Sequence, residues 1–185
     1  LSFLWILDAR QYRTQLSVGL IAFVSLGIFG ACQPPKKGTD PIDIIGVQGG
    51  LHNSRYDAAR VDPRAKEELL RTFETLTQSA YEKEPHLVIW PETAIRDTVM
   101  DQKALAQRFE PPLGSSTTLI AGLHTRDGKS LHNAAVSVTD KGVLDEVRKI
   151  RLIMGTEDHF TPGDFHRPLK TKWGKMGVMI CLEAV

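Results

Sequence analysis

His86-Leu87-Val88-Ile89-Trp90-Pro91-Glu92-Thr93 sets an apolar run of strand length directly against a proline and a carboxylate. A short apolar run bounded by breakers reads as a buried strand. Pro91 ends it, because proline has no N–H to give to a ladder. Upstream of Pro85, Ala65, Leu69, Phe73, Leu76 and Ala80 recur at helical spacing, which lays one apolar face on a sheet. Asp62-Pro63 opens that segment with a capping side chain and a proline at the first helical position, so a helix is expected from about Pro63 to Tyr81. Before it, Ile42 to Gln48 reads as another buried strand, broken by Gly49-Gly50. Downstream, Asp101 to Phe109 is a short helix stopped by Pro111-Pro112. Thr117 to His124 and Ser130 to Thr139 pair across Arg126-Asp127-Gly128-Lys129, since Asp-Gly is a strong hairpin signal. Val143 to Arg148 makes a third strand of that group. Strand, helix, strand and then several strands predict an α/β layered domain over residues 42–185.

Composition narrows the partners. A net charge of +1, from 23 basic and 22 acidic side chains, provides no field for nucleic acid, and no basic, aromatic-interleaved patch argues otherwise. Cys32 and Cys181 are the two cysteines, and their separation makes a structural disulfide unexpected. From Thr14 to Pro35 there is no charge. Residues 14–33, taken as a helix at about 1.5 Å per residue, cover about 30 Å, the thickness of a bilayer core. Residues 1–7 then read as the tail of a preceding span, and residues 34–41, with three prolines, as a linker. Arg10 and Arg13 on one side balance Lys36 and Lys37 on the other, so charge does not set the orientation. The rival reading is a secretory signal ending at Phe29-Gly30-Ala31-Cys32; Phe29 and the apolar stretch before Arg10 argue against it. The chain opens on Leu inside an apolar run and stops two residues after Glu183, as expected of an internal piece of a longer protein.

Three groups stand out chemically. Glu92 follows a strand behind Pro91, and Lys149 sits at the exit of another. Cys181 ends the run Gly174 to Glu183, which reads as a buried strand. A free thiol has a reference pKa of about 8.5 and is only a few per cent thiolate at neutral pH, so a nucleophilic cysteine needs a base or a cationic neighbour. A carboxylate supplies the base, and a lysine stabilises the oxyanion formed on a carbonyl. Together they would perform acyl transfer through a thioester. The long stretch from Lys149 to Lys172 reads as a functional or mobile loop. In it, His159 and His166 with Asp158 and Asp164 match no closed metal-site spacing, so no metal is expected. Gly46 to Gly50 lacks the Gly-Lys-Ser/Thr ending of a phosphate loop.

Trp90-Pro91-Glu92-Thr93-Ala94, then Lys149, then Ile180-Cys181-Leu182-Glu183, in that order, resemble the Glu-Lys-Cys signature of the nitrilase, or carbon–nitrogen hydrolase, superfamily. Within it the stretch is similar to the apolipoprotein N-acyltransferases and to the TraB-type nitrilase-like conjugal-transfer proteins. Val47-Gln48-Gly49 resembles the family's opening strand, and His132-Asn133-Ala134-Ala135 its Tyr-Asn-Ser-Ala. Glu157 and Glu183 match its two further glutamates. Leu152-Ile153-Met154-Gly155-Thr156-Glu157 departs from its Leu-Val-Pro-Phe-Gly-Glu, and Cys181-Leu182-Glu183 from its Cys-Tyr-Glu; the first change touches the loop thought to govern lipid access. The resemblance implies the N-terminal portion of an αββα sandwich preceded by a transmembrane helix. It implies Glu92 as general base, Lys149 as oxyanion stabiliser and Cys181 as nucleophile, with Glu157 supporting the lysine and Glu183 bracing the pocket. It also implies a bacterial inner-membrane enzyme with a periplasmic catalytic domain and no metal or organic cofactor. Such an enzyme moves an acyl chain from phospholipid to the N-terminal amine of a diacylglyceryl lipoprotein. A small-amide or nitrile hydrolase and a conjugation component are the alternatives.

Overall fold

The computed structural model describes residues 41–95 and 101–184. Residues 42–185 form one compact unit, and the expected membrane segments and linker, residues 1–7, 14–33 and 34–41, lie outside the described residues apart from Pro41. Among the described residues no helix is long and apolar enough to cross a membrane.

The elements run β1 (Ile44–Gly46), α1 (Asn53–Val61), α2 (Pro63–Tyr81), β2 (Leu87–Ile89), α3 (Gln102–Phe109), β3 (Thr118–Asp127), β4 (Ser130–Thr139), β5 (Gly142–Arg148), β6 (Leu169–Thr171) and β7 (Gly174–Met176), then a 3-10 turn at Cys181–Ala184. Strands β1 to β5 form one sheet in sequence order. β1, β2 and β3 are parallel, with Ile44 beside Leu87 and Leu87 beside Thr118. The β3–β4 hairpin closes at Asp127 and Ser130, where Gly128, at φ 57°, takes the left-handed conformation that a two-residue turn requires. The α/β layering expected from the sequence is therefore present.

Strand alternation sorts side chains onto two faces. Val88, Leu119, Ala121, Leu123, Val136 and Val138 meet the buried stripes of α2 and α3, Leu69, Phe73, Leu105 and Phe109 among them. Leu87, Ile120 and Ala135 point the other way, towards Leu169 and Ile180. The α2 helix has its expected bounds because Asp62 Oδ1 accepts from Arg64 N at 2.8 Å and Pro63 needs no donor partner. Its stripe is rotated from the expected one: Leu70, Thr77 and Tyr81 are inside while Leu76 is exposed. Thr77 faces inward because its hydroxyl accepts from Trp90 Nε1 at 3.0 Å. Tyr81 faces inward to donate to Phe109 O at 2.6 Å, tying α2 to the end of α3. Tyr81→Phe strands that buried carbonyl, and urea titration should show a loss of about 1–3 kcal/mol.

Three elements differ from expectation, the first being β6, which forms at the end of the stretch read as a loop. Helix α1 was not foreseen, because Ala59 is its one buried residue and no apolar stripe announces it. The run from Gly174 to Glu183 is not one strand: β7 stops at Met176 after pairing with β6. Ile180 N is taken by the Glu183 carboxylate at 3.0 Å, and Cys181 adopts φ 55°, outside the β region. Cys181 opens a 3-10 turn instead of ending a strand.

Candidate active site

Glu92 is placed from both sides. Trp90, buried with its ring 4.9 Å from that of Phe73 and 4.7 Å from that of Phe109, anchors the chain between α2 and α3. Trp90 N then donates to Ile120 O at 2.8 Å and Ala94 N to Gly122 O at 3.0 Å, so the turn carrying Glu92 is pegged along β3. Thr93 holds φ 48°, a conformation rare for a residue with a side chain and common where a site is held under strain.

Lys149 follows β5, and its side chain is fully covered. Its Nζ donates to Glu157 Oε1 at 2.9 Å and to Glu92 Oε1 at 3.3 Å. Burial alone would pull the Lys149 ammonium down; the hydrogen bond to Glu157 and the charge of Glu92 outweigh it, and the proton is held more tightly than in an ordinary lysine. Glu157 reaches Lys149 from the connection between β5 and β6. That connection folds back on the sheet: Thr161 N donates to Leu131 O at 2.7 Å and Gly163 N to Lys149 O at 2.9 Å. Gly163 is required there, since a Cβ would lie 2.7 Å from Arg148 O. The stretch expected to be a loop is thus stapled to β4 and β5. Burial pushes the Glu157 carboxyl up, but Lys149, Ile153 N–H and Asn133 bring it below the usual carboxylate range.

Glu183 joins the Lys149 end of β5 to the cysteine turn. Its Oε1 accepts from Ile150 N at 2.6 Å and Arg151 N at 3.3 Å, and its Oε2 accepts from Ile180 N. Burial raises its carboxyl, and these three backbone donors more than reverse that.

Cys181 is exposed and unpaired by disulfide. It shares with Glu92 a largely apolar cavity of about 190 Å³ whose walls include Ile89, Ile120, Ala135 and Val178. Among the described residues no hydrogen bond joins Cys181 Sγ to Glu92 or Lys149, and Lys149 stands behind Glu92 rather than in the cavity wall. Loose contacts of this kind are common in catalytic groups without substrate. On its other side Glu92 lines a second, more polar cavity of about 240 Å³ with Gln48, Asn53, Tyr56 and Thr93. The five residues singled out in the sequence therefore fall into two contact groups, Glu92–Lys149–Glu157 and Glu183 with the cysteine turn, and of the five only Glu92 and Cys181 line the shared cavity. Asp158, His159, Asp164 and His166 do not converge: among the described residues no group of three His, Cys, Asp or Glu side chains is placed to hold a metal ion.

The family profile of the carbon–nitrogen hydrolases matches residues 58–185. The chain belongs to the carbon–nitrogen hydrolase family. A nitrilase from Pyrococcus abyssi (strain GE5 / Orsay) is similar to this carbon–nitrogen hydrolase, at 32% identity over 127 residues, covering 60% of this chain and 48% of that protein. Among solved structures, Nit3 of Saccharomyces cerevisiae, a nitrilase-superfamily member, superposes with a TM-score of 0.52 at 20% identity, covering 64% of this chain and 51% of Nit3. The glutamine-dependent NAD+ synthetase of Acinetobacter baumannii superposes with a TM-score of 0.50 at 21% identity, covering 63% of this chain and 25% of the synthetase. At those identities the two structures show a shared nitrilase-type α/β fold and nothing further. The chain spans about half the length of the Pyrococcus protein it matches.

Sequence reasoning assigned no role to Asn133 or Gly122. Asn133 was visible in His132-Asn133-Ala134-Ala135, the stretch that resembles the family's Tyr-Asn-Ser-Ala, but that likeness named no partner for it. Gly122 carried no local signal, because its constraint comes from a turn about 30 residues earlier.

Proposed function

We propose that this carbon–nitrogen hydrolase is an acyl-transfer enzyme working through a thioester on Cys181. The observation that carries the reading is a covered ammonium bridging two carboxylates, one of which, Glu92, lines a single cavity with the cysteine. Glu92 takes the thiol proton, and the thiolate attacks the acyl carbonyl. The charge of Lys149, from behind Glu92, stabilises the oxyanion. Glu92 returns the proton to the leaving oxygen or nitrogen, which departs and leaves the acyl group on sulfur. It then deprotonates the incoming acceptor, whose attack frees Cys181 as a thiol. Glu157 holds Lys149 in place, and Glu183 braces the cysteine turn.

For the substrate, the uncharged stretch over residues 14–35 and the similarity to apolipoprotein N-acyltransferases support a phospholipid acyl donor and a diacylglyceryl lipoprotein amine as acceptor. The catalytic domain, residues 42–185, would then lie on the periplasmic side of a bacterial inner membrane, with the second β layer of the sandwich beyond the sheet described above. A second reading, hydrolysis of a small amide or nitrile, is favoured by the small cavity and by the name of the Pyrococcus relative.

The test is incubation of the full-length protein in detergent with phospholipid carrying a labelled acyl chain. Covalent label that neutral hydroxylamine releases, and that is absent in Cys181→Ser, is the expected result. No label, with turnover of small amides, moves the function to the hydrolase. Neither activity, with no defect from Cys181→Ser in conjugation, leaves the conjugation component.

A further inference from the structure

Asn133 sits within β4, buried, opposite His124 in the ladder with β3. Its side-chain Nδ2 donates to Glu92 Oε1 at 2.8 Å and to Glu157 Oε1 at 3.2 Å. These are the same two oxygens that Lys149 Nζ reaches, and Lys149 N also donates to Asn133 O at 2.8 Å. Two carboxylate oxygens are thus held between two donors, one charged and one neutral. The amide's other atom, Oδ1, is buried and has no hydrogen-bond partner among the described residues. The side chain is therefore held by its donor end alone, and turning it over would aim a carbonyl at two carboxylates.

A single ammonium between two carboxylates leaves the trio net negative, and the second donor eases that repulsion. It also fixes which oxygen of Glu92 is engaged. Oε1 accepts from both Asn133 and Lys149, and among the described residues no group donates to Oε2.

We propose that Asn133 is the positioning residue for Glu92: by sharing Oε1 with Lys149 it fixes the carboxylate's rotation and leaves Oε2 for the cavity that Cys181 lines. This rests on Glu92 acting as the base. Around the trio, the titratable groups are Lys149 at the end of β5, Glu157 from the β5–β6 connection, Cys181 across the one cavity and Tyr56 of α1 across the other, with His124 across the ladder and its ring 4.7 Å from Phe160.

Alkylation of Cys181 by iodoacetamide needs no known substrate. Its rate is followed from about pH 5 to pH 9 in the full-length protein, with peptide mass spectrometry reading Cys181 apart from Cys32. At neutral pH Glu92→Gln should be alkylated at least about tenfold more slowly than wild type, since the base is gone. Asn133→Ala should also be about tenfold slower, since the base is no longer aimed. Asn133→Asp keeps the shape but turns the donor into a third carboxylate, so it should be slower than alanine at neutral pH and gain on alanine as pH falls, when a proton shared among the carboxylates restores a donor. That gain relative to alanine is the result expected of N–H donation. If alanine matches wild type, or aspartate is at least as good as alanine at neutral pH, Asn133 only packs, and the proposal is overturned while Glu92 keeps its role. If Glu92→Gln behaves as wild type, the base assignment fails and takes the proposal with it.

Discussion

Lys149→Met is expected to destabilise the protein by about 3–5 kcal/mol at neutral pH, the usual result of breaking a buried ion pair from one side. It should also reduce Cys181-dependent turnover about a hundred- to a thousandfold, the scale of losing an oxyanion stabiliser. The methionine fills the volume, so the loss is electrostatic. Glu157, largely buried at 8% exposure, would keep Ile153 N–H and Asn133 but lose its cation. The sign of the pH dependence then reverses. In the wild type the Glu157 carboxyl lies below its ordinary range, so its contribution is present above the unfolded value of about 4.3 and fades as pH falls through the lowered folded value. Lys149 is shifted upward, so its contribution is complete below the unfolded value of about 10.4 and fades as pH rises through the folded one. Across the neutral range the wild type keeps both. In the variant, burial without a cation leaves Glu157 preferring its protonated form, and acidification from pH 7 towards pH 5 should stabilise the variant relative to wild type. Urea titrations of both proteins at the two pH values measure this. An equal deficit at pH 7 and pH 5 would mean that Glu157 does not depend on Lys149 for its charge.

How much of this centre was legible in the sequence depended on whether the constraint was local. The bounds of α2 follow from Asp62, Pro63 and a 3.6-residue stripe, all within the helix itself. The hairpin follows from Asp127-Gly128. By contrast Val178-Met179-Ile180 reads as strand on composition, yet its outcome is decided by the Glu183 carboxylate, which captures Ile180 N and also holds Ile150 N. Hydropathy does not register a side-chain acceptor that competes with a ladder. The meeting of Glu92, Lys149 and Glu157 lies further out of reach, since Glu92 and Lys149 are 57 positions apart. Their order in the chain pointed to a family; no spacing rule pointed to contact. Asn133 shows the same limit from the other side: it stood in a stretch that resembles the family's, but its two carboxylate partners come from a turn and a connection that only the folded sheet brings to it.

The second large effect is expected at a residue with no functional group. Gly122→Ala should lower Cys181-dependent turnover at least about a hundredfold, the scale of an ångström's misplacement of a reacting group. It should cost about 1–3 kcal/mol of stability, as overpacking does. A Cβ at position 122 would lie 2.3 Å from Pro91 O, 2.7 Å from Glu92 Cα and 2.9 Å from Pro91 C. All three are backbone atoms, so no rotamer change relieves the clash, and the turn must move. It is held on either side by Trp90 N on Ile120 O and Ala94 N on Gly122 O, and at its root by the Trp90 ring between Phe73 and Phe109. The displacement therefore falls on Glu92, whose Oε1 must stay within reach of Asn133 and Lys149. Gly46 supplies the control: it lies in β1 of the same sheet, and a Cβ there meets nothing within 4 Å among the described residues. Gly46→Ala should leave turnover within about twofold, since that position carries no clash and no strained conformation. If Gly122→Ala loses stability but labels Cys181 at the wild-type rate, the backbone crossing serves packing alone. If turnover falls far more than stability, the close approach of the Pro91–Glu92 backbone to β3 is what aims the carboxylate at the cavity it shares with Cys181.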